Sequence, residues 1–136
     1  MSETPIEVSV VVPVYKEEAS IGVFLRRLEP VLDGLAPNYE ILFCLDPSPD
    51  GTESELMRQI ARNSKVRLVV FSRRFGQPAA KMAGILMSTG RSCVAIDVDL
   101  QNPPELITDL YRKLQKAMKW FTRNAGRATA RQLSSV

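Results

Sequence analysis

Short apolar runs alternate along the chain with longer segments of mixed polarity. The run Val8–Val14 is rich in β-branched residues and almost wholly apolar, as is typical of a strand buried on both faces. Similar runs predict strands at 39–45, 66–71 and 93–97. Between them, apolar residues at offsets of three, four and seven predict an amphipathic helix at 17–35, and one apolar face predicts another at 103–116. Signals at the segment ends predict helices at 52–63 and 77–89.

Local signals mark the ends of these helices. Pro30 lies inside the first helix and predicts a kink or an early end. Thr52 is the expected N-cap of the second helix, and Glu55 would complete a capping box. Gly90 is expected to end the third helix, and Pro103 occupies the first turn of the fourth.

The order of these elements predicts the fold class. Strands that alternate with helices indicate an α/β fold with a doubly wound, mostly parallel sheet covered by helices on both faces. Ligands of such sheets bind at the carboxyl ends of the strands. The candidate site loops are therefore 13–18, 46–51 and 97–105, each of which follows a predicted strand.

Composition fits one globular domain and narrows the chemistry. The 136 residues are 45% hydrophobic and 24% charged, and the net charge of +3 is too small to indicate a nucleic-acid partner. The chain has no histidine, which excludes histidine-based catalysis and metal ligation. No apolar run approaches the roughly 20 residues of a membrane span, and the N-terminus does not look like a signal peptide. Cys44 and Cys93 lie in apolar runs and are expected to be buried free thiols of a protein in a reducing cytosol.

Two carboxylates follow the fourth predicted strand. Asp97 and Asp99 would repel each other unless a cation bridges them, and Gln101 adds a neutral oxygen at the same spacing. Hard oxygen ligands of this kind suit Mg²⁺ or Mn²⁺, which also bind diphosphates. The alternative is a solvated turn whose carboxylates cap the next helix.

The other loops carry groups that suit a nucleotide. Tyr15 offers a flat face to a base, and Glu17 can accept hydrogen bonds from a ring N–H or a ribose, although acids are also common at a helix start. Asp46 can accept a hydrogen bond from a base edge. Arg73 and Arg74 suit phosphate charge, or form a solvated basic loop.

Together these loops resemble the inverting family-2 glycosyltransferases with the GT-A fold, a nucleotide-diphospho-sugar transferase fold. The similarity is greatest to the polyprenyl-phosphate branch, which includes dolichyl-phosphate mannose synthases, bactoprenol glucosyltransferases and undecaprenyl-phosphate formamidoarabinose transferases. It runs from about Val8 to Lys116. The motifs that carry it are 10–18 (VVVPVYKEE), Asp46 with 48–52 (SPDGT), 73–77 (RRFGQ), 83–84 (AG), 89–90 (TG) and 97–105 (DVDLQNPPE).

The resemblance implies a site for a nucleotide-sugar donor and a divalent cation. The implied donor-binding residues are Pro13, Tyr15, Glu17, Asp46, Asp97 and Val98, with Arg73 at the phosphate. The residues implied at Mg²⁺ or Mn²⁺ are Asp97, Asp99 and Gln101. The implied reaction transfers one sugar to a polyprenyl phosphate with inversion, and the metal acts as Lewis acid for the departing nucleoside diphosphate.

The chain departs from the family pattern in two places. The family usually has Asp-Asp-Gly-Ser where this chain has 45–48 (LDPS), and the proline restricts the backbone there. Family members also continue well past Lys116, with an acceptor-side Asp and often membrane helices. We therefore expect residues 1–116 to be a partial GT-A domain, the N-terminal donor-binding half, and 117–136 to be a non-native or disordered tail.

Three functions follow from this organisation. The leading one is a cytoplasmic donor-binding fragment, inactive alone, of an enzyme whose intact form acts at the cytoplasmic face of the inner membrane, with its catalytic acceptor-side residue absent from this chain. The second is a short, non-catalytic nucleotide-binding module. The third is a doubly wound domain with no nucleotide role, in which the aspartates are only caps.

We predict that the gene is frameshifted after Lys116. In the frame one base upstream, Lys119 becomes part of a forced Glu codon and Phe121 part of a forced Val codon, in agreement with the Gly-Tyr-(Asp/Glu)-Val-Val-Tyr motif of the family. Sequencing the DNA downstream of the Lys113 codon tests this. An open shifted frame that encodes membrane helices is expected, and a shifted frame closed by early stop codons would contradict it.

Overall fold

The computed structural model describes residues 5–99 and 103–134 and shows an alternating α/β chain. The strands are β1 (Val8–Val14), β2 (Tyr39–Leu45), β3 (Val66–Val70) and β4 (Ser92–Ala95). The helices are α1 (Ile21–Leu35), α2 (Thr52–Arg62), α3 (Gln77–Met87) and α4 (Leu106–Ser134).

The four strands form one parallel sheet in the order β3-β2-β1-β4. The central pair is in full register, from Val8 opposite Tyr39 to Val14 opposite Leu45. Each parallel connection passes through a helix, because parallel strands cannot be joined by a tight turn. The predicted doubly wound α/β fold is confirmed.

The two faces of the sheet are covered by different helices. One set of β1 side chains, which includes Val10 and Val12, packs with Phe24 and Leu28 of α1 in the larger core cluster. On the opposite face, Val11 packs in a smaller cluster. The other buried members of that smaller cluster are Leu42, Cys44 and Ala80. Every residue of β1 and β2 is buried, which explains their apolar sequences.

Several predicted helix ends lie elsewhere in the structure. Helix α1 begins at Ile21 and not at residue 17, and Pro30 is accommodated inside it. The predicted capping box is wrong: Thr52 is the first helical residue after the N-cap Gly51, and Glu55 pairs with Arg58 instead. The Thr52 hydroxyl instead accepts a hydrogen bond from Glu17 N in the loop after β1.

Helices α3 and α4 also end at positions other than those predicted. Helix α3 ends at Met87 with Ser88 as its C-cap, so Gly90 lies beyond the helix. Helix α4 continues to Ser134, well past the predicted end at 116, while the non-native character of 117–136 stays a prediction. Within the described ranges, no helix has the length and apolar character that a membrane span requires.

Both cysteines are free. Cys44 is buried and Cys93 is half-buried. Burial, followed by the nearby Cys93, raises the pKa of the Cys44 thiol to about 11. Cys44 is therefore a protonated, apolar part of the core at neutral pH.

Two glycines allow close backbone approach. A Cβ on Gly84 would lie 2.4 Å from Val11 Cγ1 and 2.5 Å from Cys44 Sγ, so α3 packs directly on the sheet. A Cβ on Gly90 would lie 2.5 Å from Ser9 Oγ and 2.8 Å from Ser9 N. Each glycine brings a segment against β1 closer than any other residue permits.

A buried carboxylate joins β2 to its neighbours near the start of the strands. Glu40 accepts hydrogen bonds from Ser9 Oγ (2.7 Å), Thr89 N (2.8 Å) and Thr89 Oγ1 (2.7 Å). Arg67 NH1 lies 2.6 Å from the other carboxylate oxygen, and Gly90 N donates to Ser9 Oγ. Burial alone would raise the pKa of Glu40, but the hydrogen bonds from Thr89, Ser9 and Arg67 outweigh it and hold that pKa below 4.5.

We predict that Glu40→Gln lowers the free energy of unfolding by about 2 kcal/mol at neutral pH, because an amide cannot accept all four hydrogen bonds. The contribution of Glu40 is fully present above its unfolded-state pKa and is lost as pH falls through its lower folded-state pKa. Below pH 4.5 the wild type should therefore lose stability more steeply than the variant. Urea unfolding at several pH values measures this, with exposed Glu53→Gln as control. Parallel stability curves for wild type and Glu40→Gln would contradict the prediction.

Candidate functional site

A cavity of about 250 Å³ opens at the carboxyl edge of the sheet. It lies where the loops after β1, β2, β3 and β4 meet, which is the expected place for a ligand in a doubly wound sheet. Its lining residues are Pro13, Val14, Tyr15, Glu17, Asp46, Arg74, Gly76, Gln77, Ala80, Asp97, Val98 and Asp99.

The loop after β1 turns sharply at Lys16. Lys16 is the one non-glycine residue with a positive φ, 54°, within 5–99 and 103–134. Left-handed backbone is unfavourable for a residue with a Cβ, so the surrounding contacts must hold it. Its two neighbours, Tyr15 and Glu17, both line the cavity.

Hydrogen bonds from the next loop hold that turn. Lys16 N donates to Ser48 Oγ (3.1 Å), and Glu17 N donates to Thr52 Oγ1 (3.0 Å). The carboxylate of Asp50 accepts hydrogen bonds from the Ser48 and Thr52 hydroxyls, which lower its pKa to about 2. The hydroxyl of Thr52 thus joins two loops, which explains why it does not cap α2 in the predicted way.

Asp46 holds the loop between β3 and α3. Its side chain is buried, and its two oxygens accept hydrogen bonds from Phe75 N (3.2 Å) and Gly76 N (3.0 Å). Gly76 has φ of 91°, which favours glycine. Asp46 therefore fixes the backbone that leads into α3.

Asp97 is oriented by the first turns of α3. Gln77 Nε2 donates to Asp97 Oδ1 at 2.6 Å, and Lys81 Nζ lies 3.9 Å from the same oxygen. Val98 is buried, while Asp99 is exposed. Asp97 and Asp99 therefore line the cavity, while Val98 between them packs in the core.

Negative charge accumulates in this cavity. Burial is the largest factor that raises the pKa of Glu17, and the nearby charges of Asp99 and Asp50 raise it further against a hydrogen bond from Ser20. Asp46 and Asp97 line the same cavity. The four carboxylates that line the cavity, those of Glu17, Asp46, Asp97 and Asp99, favour a cationic group or a metal ion between them.

The two arginines of the third loop have different positions. Arg74 lines the cavity, with its Cζ 3.9 Å from the centroid of the Tyr15 ring. Arg73, the predicted phosphate residue, is not among the lining residues, and its Cζ lies 4.9 Å from the Phe75 ring centroid. Phe75 in turn packs edge-on against Phe71.

The structure brings most of the predicted site residues together. The predicted residues that line the cavity are Pro13, Tyr15, Glu17, Asp46, Asp97, Val98 and Asp99. Gln101 lies outside the described residues. The lining also includes Gly76, Gln77 and Ala80, which had not been assigned as site residues, and Arg74, which the sequence offered beside Arg73 as a phosphate-binding candidate. Gln77 and Ala80 are three residues apart and therefore lie on the same face of α3. This spacing, on a helix that follows a basic loop, is the sequence signal that could have placed them at the site.

The donor set fits a hard divalent cation in its chemistry. Asp97 and Asp99 supply carboxylate oxygens two residues apart, and the surrounding negative charge favours a cation. No group of three or more carboxylate or thiol side chains within residues 5–99 and 103–134 is already assembled around a metal position. A metal at this edge would therefore need further oxygens from a ligand or from water.

The fold and the cavity define an α/β domain of the GT-A type. A family model described as "Glycosyl transferase family 2" matches residues 9–130, and the chain belongs to this family. The chain is 42% identical over 124 residues to the undecaprenyl-phosphate 4-deoxy-4-formamido-L-arabinose transferase of Aeromonas hydrophila. That match covers 89% of this chain and 37% of the relative, so the chain spans little more than a third of the relative's length.

Solved structures agree with this assignment. The mannosyltransferase PcManGT of Pyrobaculum calidifontis, in complex with GDP-Man and Mn²⁺, is 26% identical with a TM-score of 0.61 over 71% of this chain and 30% of its own. Glucosyl-3-phosphoglycerate synthase of Mycobacterium tuberculosis, in complex with Mn²⁺, UDP and phosphoglyceric acid, is 27% identical with a TM-score of 0.57 over 75% of this chain and 36% of its own. The chain is thus a glycosyltransferase by family, and divalent metal use occurs within that family.

We predict that Lys16→Asn raises the free energy of unfolding by about 1 kcal/mol, because asparagine tolerates left-handed backbone better than lysine does. Lys16→Ala is the matched control, since alanine keeps the Cβ and removes only the long side chain. Urea unfolding of the three proteins measures the difference. Equal stability of the Asn and Ala variants would contradict the prediction.

Proposed function

We propose that this chain is the donor-binding half of a glycosyltransferase that moves a sugar from a nucleotide-sugar to a polyprenyl phosphate with inversion. The observation that carries the proposal is the meeting of an aromatic ring, a buried carboxylate and an aspartate pair in one cavity at the carboxyl edge of the sheet. These groups match the three parts of such a donor: base, ribose and diphosphate.

The nucleoside end of the donor lies against the first two loops. Pro13 and Tyr15 supply the apolar and aromatic surface, and the Glu17 carboxylate accepts hydrogen bonds from hydroxyl groups. Asp46 accepts a further hydrogen bond from the base. A carboxylate has about four acceptor positions, so Asp46 retains capacity beyond the bonds from Phe75 and Gly76.

The diphosphate end lies at the aspartate pair. Asp97 and Asp99, with Gln101 two positions further along the sequence, would hold Mg²⁺ or Mn²⁺, and the buried Val98 anchors the chain between the two aspartates. When bound, the cation supplies Lewis-acid stabilisation of the charge on the departing nucleoside diphosphate. Gln77 and Lys81 hold Asp97 in place. The sequence motif also assigns Arg73 to the phosphates.

The acceptor is proposed from the relative's name and from chemistry. The Aeromonas relative is named for transfer to undecaprenyl phosphate, and a phosphate acceptor is already an anionic nucleophile that needs little deprotonation. This chain spans 37% of that relative, and we propose that alone it binds donor without transferring sugar. The corresponding location is the cytoplasm, with the intact enzyme at the cytoplasmic face of the inner membrane.

We predict that Mn²⁺ strengthens the binding of UDP or GDP to the chain, and that Asp99→Asn removes this gain because the site loses one anionic ligand. Calorimetric titrations with each nucleotide, with and without Mn²⁺, measure the effect. Asp109→Asn, an exposed change in the first turn of α4, is the control and should retain the gain.

Two results would overturn the proposal. One is the absence of binding of both nucleotides to the folded wild type. The other is an affinity that is the same with and without Mn²⁺ in the wild type, since the aspartate pair would then have no metal to hold.

A further inference from the structure

The proposed donor site contains one of the two adjacent arginines that suit phosphate charge, and it is not the arginine that the resemblance assigned to the phosphate. Arg74 is the one cationic side chain among the described lining residues of the cavity. Its guanidinium carbon lies 3.9 Å from the centroid of the Tyr15 ring, and Lys16 Nζ lies 5.5 Å from the same centroid. Among the described residues of the same cavity, Glu17, Asp46 and Asp97 form no ion pair with it.

The backbone beside Arg74 is fixed, while its side chain is exposed. Phe75 N and Gly76 N donate to the buried carboxylate of Asp46, so the loop itself is anchored. The Arg74 side chain is exposed and rests on the half-buried Tyr15 ring. An exposed cation–π contact is weak, and a long side chain on a fixed backbone can leave it at small cost.

The charges in the cavity favour movement of the Arg74 side chain toward the diphosphate of a bound nucleotide. A nucleoside diphosphate brings at least two negative charges into a cavity that already holds Glu17, Asp46, Asp97 and Asp99. A guanidinium forms strong paired hydrogen bonds with phosphate oxygens, whereas its contact with a tyrosine ring is readily exchanged.

We propose that Arg74 is a specificity residue that covers Tyr15 in the free protein and moves to the diphosphate when the donor binds. This inference rests on the proposed function, because it takes the cavity to be the donor site. A nucleoside without phosphates must then displace Arg74 from Tyr15 and gains nothing in return. A nucleoside diphosphate displaces the same contact and gains an ionic partner, so the exchange selects phosphorylated ligands.

The test compares ligands with and without phosphates. Affinities of wild type, Arg74→Ala, Arg74→Lys and Arg73→Ala for UDP, uridine, GDP and guanosine are measured by NMR titration without metal and repeated with Mn²⁺. Exposed Arg58→Ala on α2 is the matched control. We expect Arg74→Ala to weaken diphosphate binding about tenfold to a hundredfold. It should also strengthen nucleoside binding about two- to fivefold, because a base no longer has to displace the nearer of the two cations from the Tyr15 ring.

The opposite changes expected for diphosphate and nucleoside affinity distinguish this role of Arg74 from a purely structural one. Collapse of the loop would weaken both kinds of ligand together, and that result would overturn the proposal. Arg74→Lys keeps the charge without the paired hydrogen bonds of a guanidinium, so its diphosphate affinity should lie between those of wild type and Arg74→Ala. Affinities of Arg74→Ala equal to those of the wild type would also overturn the proposal, as would a loss of diphosphate binding confined to Arg73→Ala. Failure of the wild type to bind either diphosphate would instead refute the proposed function itself.

Discussion

Burial of β1 on both faces is the constraint on which the rest of the molecule depends. Val10 and Val12 lie in the core formed with α1, and Val11 lies in the core formed with α3. A strand covered on both faces needs packed elements above and below it, and its buried backbone groups need hydrogen-bond partners on both edges. Parallel pairing with β2 and β4 satisfies this requirement, and it directs the loops after all of these strands to one edge.

The two ends of the sheet have different physical characters as a result. Near the strand starts, the buried Glu40 has every carboxylate oxygen matched by donors from Ser9, Arg67 and Thr89, which makes that end a rigid polar cluster. Among the described residues that line the cavity at the carboxyl end, the carboxylates outnumber the cations, and the pKa of Glu17 is raised. Charge that is balanced internally stabilises a fold, whereas charge left unbalanced favours a ligand that supplies the opposite sign.

The loops at the carboxyl edge are held by one another. Thr52 bonds the backbone of Glu17, Asp46 bonds the backbone of the loop after β3, and Gln77 bonds Asp97. Each contact joins residues that are at least 20 positions apart in the chain. Under the proposed function, this arrangement would hold the contacts to base, ribose and diphosphate at fixed spacing.

The apolar pattern determined β1 and β2 to the residue, because strands buried on both faces leave a continuous apolar signal. It also placed Tyr15, Asp46 and Asp97 on loops that follow strands, and parallel topology brings such loops together. Only the tertiary structure decided which long-range partners the polar side chains take. Thr52 caps no helix because the backbone of Glu17 competes for its hydroxyl, and Arg74 faces the cavity while Arg73 lies over Phe75. Adjacent arginines look equivalent in a sequence, whereas the fold places a different aromatic ring beside each of them, Tyr15 beside Arg74 and Phe75 beside Arg73.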